Sequence, residues 1–353
     1  RLEDTGSNVT DNLTCVTAPR FEITAAETLV AVNATLNGVT TAVTPEDGRW
    51  IFTAETLADG SYTLQVELID IAGNRSVEVL TFTVDTQIPV PVIDMQDASD
   101  SGMSATDNIT NQPQPLFVIS NVPEDVDSVR VEINGTSYQA TFDGVQWTVQ
   151  PNSLPDGEHT ATVTVRDKAG NQAESSVSLV VDTQILLSVE METASDSGVS
   201  QTDQLTNDTT PGFHGKTDSN AHLVMTIKDV NGLVVQTVEQ DADGEGNWVF
   251  TAAGLVDGPY TLNVMATDVA GNSIEQNVRF TIDTKTEAPT VGLAQSEPDN
   301  SHEALNLAPE FKGTAEPGAT LTIRIDGNVV ASITASSSGA WAWTPPGSLL
   351  SGE

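Results

Sequence analysis

Residues 257–284 read Asp-Gly-Pro-Tyr-Thr-Leu-Asn-Val-Met-Ala-Thr-Asp-Val-Ala-Gly-Asn-Ser-Ile-Glu-Gln-Asn-Val-Arg-Phe-Thr-Ile-Asp-Thr. Apolar residues take every second place on both sides of Asp-Val-Ala-Gly-Asn: Tyr260, Leu262, Val264 and Ala266 before it, Val278, Phe280 and Ile282 after it. A period of two turns one face of an extended strand to a core and the other to water, whereas a helix needs 3.6. The stretch therefore predicts two neighbouring strands joined by a tight loop. The same pattern recurs twice upstream. Tyr62, Leu64, Val66 and Leu68 lead to Leu80, Phe82 and Val84; His159, Ala161, Val163 and Val165 lead to Val177, Leu179 and Val181.

Beyond this stretch the chain repeats itself. Asp-x-Ala-Gly-Asn begins at Asp70, Asp167 and Asp268, and the closing Asp-Thr at Asp85, Asp182 and Asp283; both sets step by 97 and then 101 residues. Trp50, Trp147, Trp248 and Trp341 follow polar turns at intervals of 97, 101 and 93. Asp-Thr/Ser-Gly opens each repeat at Asp4, Asp100 and Asp196, with a second aspartate seven residues on at Asp11, Asp107 and Asp203. One spacing shared by several motifs marks tandem duplication. The expected domains are residues 1–86 (first strand missing), 87–183, 184–284 and a partial repeat at 285–353. The ending at Ser351-Gly352-Glu353 aligns with Asp59-Gly60-Ser61 and Asp257-Gly258-Pro259, so the fourth repeat lacks its last two strands, and the whole reads as an internal slice of something larger.

About seven short strands per ~100 residues, with Asp-Gly and Asn-Gly turns and no helical stretch, is the arithmetic of an Ig-like sandwich. The fold class expected is all-β, a head-to-tail rod of tandem Ig-like β-sandwich domains. Tyr62 and Tyr260 fall where a tyrosine corner sits; His159 replaces them in the second repeat, where a weaker corner is expected. The four tryptophans are expected in the cores.

Composition excludes several functions. With 13 basic against 50 acidic residues the formal net charge is -37. Such a surface repels phosphate backbones and anionic headgroups, so neither nucleic acid nor membrane insertion is expected. One cysteine, Cys15, permits no disulfide within the chain. It aligns with Asn111 and Asn207 and reads as a drifted position. His159, His214, His222 and His302 stand at non-equivalent places, and no nucleophile elbow, phosphate loop or His-Glu-x-x-His is present. The chain is read as non-enzymatic and monomeric.

Position gives the acids meaning. Strands of a sandwich alternate direction, so loops gather at two poles. Asp100, Asp107 and Asp182 share one pole of the second repeat and would face Asp268 of the third; Asp4, Asp11 and Asp85 would face Asp167. Carboxylates gathered this way repel unless a cation joins them. Ca²⁺ takes six to eight oxygens in irregular geometry, which suits loops and linkers, and Mg²⁺ is stricter. Asp241, Asp243, Glu245, Gly246 and Asn247 imitate the start of an EF-hand loop, but Ala252 stands at position 12 and no helices flank it. That segment reads as a polar turn.

On Ala-Ser-Asp-Ser-Gly, Thr-Asp-Asn-Ile-Thr, Asp-Gly-x-Tyr, Asp-x-Ala-Gly-Asn and Ile-Asp-Thr, the chain resembles the tandem bacterial Ig-like repeats of giant type I-secreted non-fimbrial adhesins. The resemblance covers nearly the whole chain. It implies an extracellular, cell-surface extender in which Ca²⁺ at domain junctions stiffens the string and projects a distal adhesive region toward a host cell or surface. The matching positions are Asp4, Asp11, Asp85, Asp100, Asp107, Asp167, Asp182, Asp196, Asp203, Asp268 and Asp283. Glu297-Pro298-Asp299-Asn300 replaces the Asp-Ser-Gly loop in the fourth repeat, which puts the last junction in doubt, and Asp70 has no preceding repeat to face. The expected partners are neighbouring repeats of the same polypeptide. Two alternatives stay open. One is direct binding of a glycan or host receptor, with residues 29–41 and an exposed Trp343 as candidates. The other is an accessory module of a secreted polysaccharide-active enzyme.

Overall fold

The computed structural model describes residues 3–198, 200–294, 308–347 and 349. The segments Glu297–Asn300 and Ser351–Glu353, and His302, lie outside the described residues. Among the described residues every regular element is a strand.

The second repeat shows the plan. One sheet runs in the order Thr141–Phe142, Trp147–Val149, Phe117–Ser120, Val92–Met95. The facing sheet runs Ile109–Thr110, Gln172–Val181, Gly157–Asp167, Val126–Ile133, Thr136–Gln139. Ile109–Thr110 pairs parallel with Val180–Val181, and the other ladders are antiparallel. Alternation decides what is buried. Along Gly157–Asp167 every odd-numbered residue from His159 is buried, so Ala161, Val163 and Val165 meet Phe117, Ile119, Val129 and Val131 in one core. Burial of each such side chain contributes roughly 1.5–3 kcal/mol, which sets the register firmly, since a slip of one residue would expose the whole set. The third repeat copies the five-stranded sheet and the core, from Phe213 and Met225 to Leu262 and Phe280, and its facing sheet keeps three of the four strands.

The first repeat keeps the five-stranded sheet, but Arg20–Ile23 stands at an edge of its other sheet, beside Arg49–Thr53. In the fourth, Gly292–Leu293, Phe311–Thr314 and Ala340–Trp343 form one sheet and Thr320–Ile325 with Asn328–Thr334 a hairpin. Among the described residues its hydrophobic core cluster is small, built on Leu321, Ala335 and Trp341.

Three details differ from the sequence expectation. Trp248 and Trp341 are buried, but Trp50 and Trp147 are half-buried and pack at the margin of their cores. Trp343 is half-buried rather than exposed, stacked on Phe311 with ring centroids 6.0 Å apart. The corner of the second repeat is also intact. Tyr62 Oη donates to the Ala58 carbonyl at 2.8 Å and Tyr260 Oη to Val256 at 2.9 Å. His159 Nε2 makes the same bond to the Pro155 carbonyl at 2.8 Å. Its Nδ1 faces the Asn134 side-chain amide, with Nδ2 at 3.0 Å and Oδ1 at 3.3 Å.

A candidate cation site at two repeat junctions

The Asp-x-Ala-Gly-Asn loop folds onto its own aspartate. Asp167 Oδ1 accepts from the backbone N–H groups of Gly170 and Asn171, each at 2.8 Å, and Oδ2 from Asn171 Nδ2 at 2.8 Å. Asp268 repeats this with Asn272, and Asp70 with Ala72 and Asn74. The asparagine then reaches across the junction. Asn171 Nδ2 donates to the Asp85 carbonyl at 2.9 Å and Asn272 Nδ2 to the Asp182 carbonyl at 2.8 Å. Aspartate and asparagine are therefore both required: one organises the loop, the other ties it to the preceding repeat.

Around that tie the acids converge in threes. Carboxylate oxygens of Asp85, Asp125 and Asp167 lie within 4.8 Å of one another, as do those of Asp182, Asp218 and Asp268. Each triad takes one acid from the end of a repeat and two from the next. Asp167 and Asp268 are buried, 0% and 1% exposed. Among the described residues no ion pair reaches any of the six. Burial pushes the Asp85 carboxyl up; the backbone N–H of Gln87 opposes this, and the charges of Asp167 and Asp125 add to it. Asp218 is raised by burial first, then by Asp182 and Asp268. At an effective dielectric near 20, two such charges about 4.8 Å apart repel by roughly 3 kcal/mol. Three hard oxygen donors, no cationic side chain and carboxyls driven toward protonation form a donor set that fits a hard divalent cation.

The sequence reading placed Asp85, Asp167, Asp182 and Asp268 at the junctions, where the structure puts them. It missed Asp125 and Asp218. Each precedes the strand that pairs with the Asp-x-Ala-Gly-Asn strand, at the same pole. Strand alternation could have located both; the flanking residues, Val122-Pro123-Glu124-Asp125 and Thr217-Asp218-Ser219, share no motif to draw the eye.

Asp4, Asp11, Asp100, Asp107, Asp196 and Asp203 sit apart from the triads, each inside its own repeat. Asp4 Oδ2, Asp100 Oδ2 and Asp196 Oδ2 accept from the backbone N–H of Asn12, Asn108 and Gln204, at 3.0, 3.1 and 3.2 Å. Asp11, Asp107 and Asp203 each cap the N–H two residues on. Oδ1 of Asp100 and of Asp196 is buried with no hydrogen-bond partner. Burial raises Asp100, Asn108 opposes it, and the Asp107 and Asp94 charges raise it further. This loop still belongs to the joint, through its next residues. Ser101 Oγ donates to the Ala270 carbonyl at 2.7 Å and the Met103 N–H to Val269 at 3.3 Å. Thr5 Oγ1 donates to the Ala169 carbonyl, and Ser7 Oγ to Asp127 Oδ1.

Asp283 joins no triad among the described residues; its Oδ1 accepts from the Lys285 N–H at 3.2 Å. Glu316, placed like Asp218, turns instead to Thr286 and the Glu287 N–H. The closing Asp-Thr has its own task. Thr86, Thr183 and Thr284 latch through N–H and Oγ1 onto Asp59, Asp156 and Asp257. Thr284 and Lys285 hold the Asp257 carboxyl down at about 2. In the EF-hand-like segment Asp243 accepts from the N–H groups of Glu245 and Asn247, as a polar turn does. Cys15 fills the place of Asn111 and Asn207, its sulfur 3.4 Å from Thr5 Oγ1.

A family model described as Bacterial Ig-like domain matches residues 1–86, 87–183 and 185–284. Comparison with curated proteins gives no match. Among solved structures, the chain is similar to a tetra-tandem repeat in the extending region of a large adhesion protein, at 22% identity over 98% of this chain and 90% of that one, TM-score 0.33. It is also similar to a Ca²⁺-stabilized adhesin with which an Antarctic bacterium reaches out and binds ice, at 23% identity over 93% and 85%, TM-score 0.29. A 1.5-MDa bacterial ice-binding adhesin gives 19% identity over 75% and 89%, TM-score 0.32.

Proposed function

This chain belongs to the bacterial Ig-like domain family, and from that premise we propose that it is an extender segment of a secreted bacterial surface adhesin. In this reading Ca²⁺ between successive repeats stiffens the string and holds an adhesive region away from the cell. The observation that carries it is the pair of junctional triads, built alike from both sides of two successive joints. Asp85, Asp125 and Asp167 would hold one ion, Asp182, Asp218 and Asp268 another. The ion supplies charge neutralisation and a bond between repeats. The chain's own part is to hold one carboxylate rigidly, through the Asp167 and Asp268 loops, while the Asn171 and Asn272 ties bring the preceding repeat's acid into range.

The paired acids inside each repeat, Asp4 with Asp11, Asp100 with Asp107 and Asp196 with Asp203, are proposed as further oxygen donors. The partnerless oxygens of Asp100 and Asp196 support this. Asp283 is proposed as a further oxygen donor at the third joint, where no triad forms among the described residues. The role is read as non-catalytic and extracellular, and the residue ranges of the repeats stand as proposed domain limits.

Extracellular modules bind Ca²⁺ with dissociation constants of about 10⁻⁴–10⁻³ M, so millimolar Ca²⁺ outside the cell would fill such sites. Tenfold excess over the dissociation constant is worth about 1.4 kcal/mol per site. Metal analysis after dialysis against Ca²⁺ tests the assignment. Asp125→Asn should remove one ion per chain, and Asp125→Asn with Asp218→Asn two. Unchanged Ca²⁺ content in the double variant would refute the junctional sites.

A further inference from the structure

Asn-Gly occurs three times in the chain, at Asn37-Gly38, Asn134-Gly135 and Asn231-Gly232. Each lies in the turn between the strand beside the Asp-x-Ala-Gly-Asn strand and its outer neighbour. Glycine has no side chain to keep its backbone nitrogen away from the Cγ of the preceding asparagine. Whether that nitrogen attacks depends on what holds the two groups, and the three turns differ there. The Asn134 amide is pinned against His159 Nδ1, with Nδ2 at 3.0 Å and Oδ1 at 3.3 Å, and the ring is buried and anchored on the Pro155 carbonyl. At Asn231 the glycine nitrogen is held instead. The Gly232 N–H donates to the Asp229 carbonyl at 2.9 Å, and the Asn231 N–H to Asp229 Oδ1 at 2.9 Å. Asn37 and Gly38 are exposed, and among the described residues neither the amide nor the glycine N–H has a hydrogen-bond partner. Tyr62 stands where His159 does, but its one polar atom is bonded to the Ala58 carbonyl.

We propose that Asn37 is a modification site, where the chain deamidates without an enzyme, and that His159 shields Asn134 from the same reaction. The Gly38 nitrogen loses its proton to solvent base and bonds to Asn37 Cγ; the Cγ–Nδ2 bond breaks and Nδ2 leaves as ammonia. Water then opens the cyclic imide. Cleavage at the side-chain carbonyl gives aspartate, and cleavage at the main-chain carbonyl gives iso-aspartate, with the extra carbon in the backbone. The fold accepts the first product. The fourth repeat carries Asp326-Gly327 in the equivalent turn at φ +50° and +82°, against +52° and +78° for Asn37 and Gly38. Iso-aspartate instead lengthens a two-residue turn that sets Leu36 opposite Val39, so it loosens the hairpin.

To test this, the full chain is kept in Ca²⁺ at mildly alkaline pH, and digests taken over weeks are mapped by mass spectrometry, with aspartate and iso-aspartate peptides separated. Asn37 should convert about tenfold faster than Asn134 or Asn231. His159→Tyr keeps the bond to Pro155, frees the Asn134 amide and should raise conversion there about tenfold, with Asn231 unchanged. His159→Phe, which also removes the contact to Asn134, repeats that test should the first variant fold poorly. Equal rates at the three sites of the wild type, or an Asn37 that outlasts either of the others, would overturn the site. An Asn134 as slow in both variants as in the wild type would overturn the shield.

Discussion

A Cβ at Gly102 would lie 2.0 Å from the carbonyl oxygen of Val269, and one at Gly6 2.0 Å from that of Lys168. Both glycines are in the left-handed region, φ +100° and +91°, but so is Gly198 at +107°, where a Cβ would meet nothing within 4 Å. The two costs can therefore be separated. Gly198→Ala pays only the backbone penalty, about 1–2 kcal/mol within its own repeat. Gly102→Ala pays that and must also push the third repeat's loop away, breaking the Ser101–Ala270 and Met103–Val269 bonds. The expected outcome is similar melting of the isolated transitions in the two variants, with faster independent tumbling of repeats two and three by NMR relaxation only in Gly102→Ala. Equal relaxation in both would mean the close backbone approach does not hold the joint. The sequence displayed Asp-Ser-Gly as a recurrent motif; that its glycine serves the neighbouring repeat depends on a contact 167 residues away and is not written in the local pattern.

At the scale of the strand and loop, the hairpin around Asp-x-Ala-Gly-Asn was almost wholly legible, because period-two burial and a turn glycine act locally. The corner was less so. A histidine in place of Tyr62 or Tyr260 looks like a loss, yet an imidazole N–H reaches the same carbonyl as a phenol. Replacing His159 with Phe keeps the volume and removes the bonds to Pro155 and Asn134. Losing them should cost about 1 kcal/mol per hydrogen bond, because the Pro155 carbonyl belongs to an exposed residue that water can reach. His159→Tyr should restore most of it. Thermal unfolding that follows the second repeat alone, through the half-buried Trp147, would check both values.

Across the whole molecule, acids placed for a cation set the pH response. The native carboxyls of Asp85 and Asp218 are raised above their ordinary value of 3.8, by burial first and by neighbouring carboxylates second, so the penalty on their charged forms is fully present at neutral pH. It is relieved as pH falls through the raised value toward 3.8. In chelator, the wild type should gain stability over that window relative to Asp85→Asn with Asp218→Asn. In Ca²⁺ the difference should reverse, because protons then compete with the ion. Differential scanning calorimetry across pH, with and without Ca²⁺, reads the sign directly. The four junction aspartates carried by repeated motifs were visible in the sequence, whereas Asp125 and Asp218 become visible only when the folded poles are brought together. Asp100 and Asp107, by contrast, share a pole with Asp182 but turn their carboxylates inward onto their own loop.

In the proposed role, Ca²⁺ at the triads holds successive repeats in line. Small-angle X-ray scattering of the full chain in millimolar Ca²⁺, then in excess chelator with Mg²⁺ present, tests it most directly. Three repeats with strands of ten or eleven residues would extend on the order of 100 Å in line. The predicted result is a maximum dimension near that value in Ca²⁺, and a broader, more compact distribution in chelator that Mg²⁺ does not reverse. Asp125→Asn with Asp218→Asn should give the chelator profile even in Ca²⁺. Superimposable profiles for the wild type in Ca²⁺ and in chelator would contradict the claim.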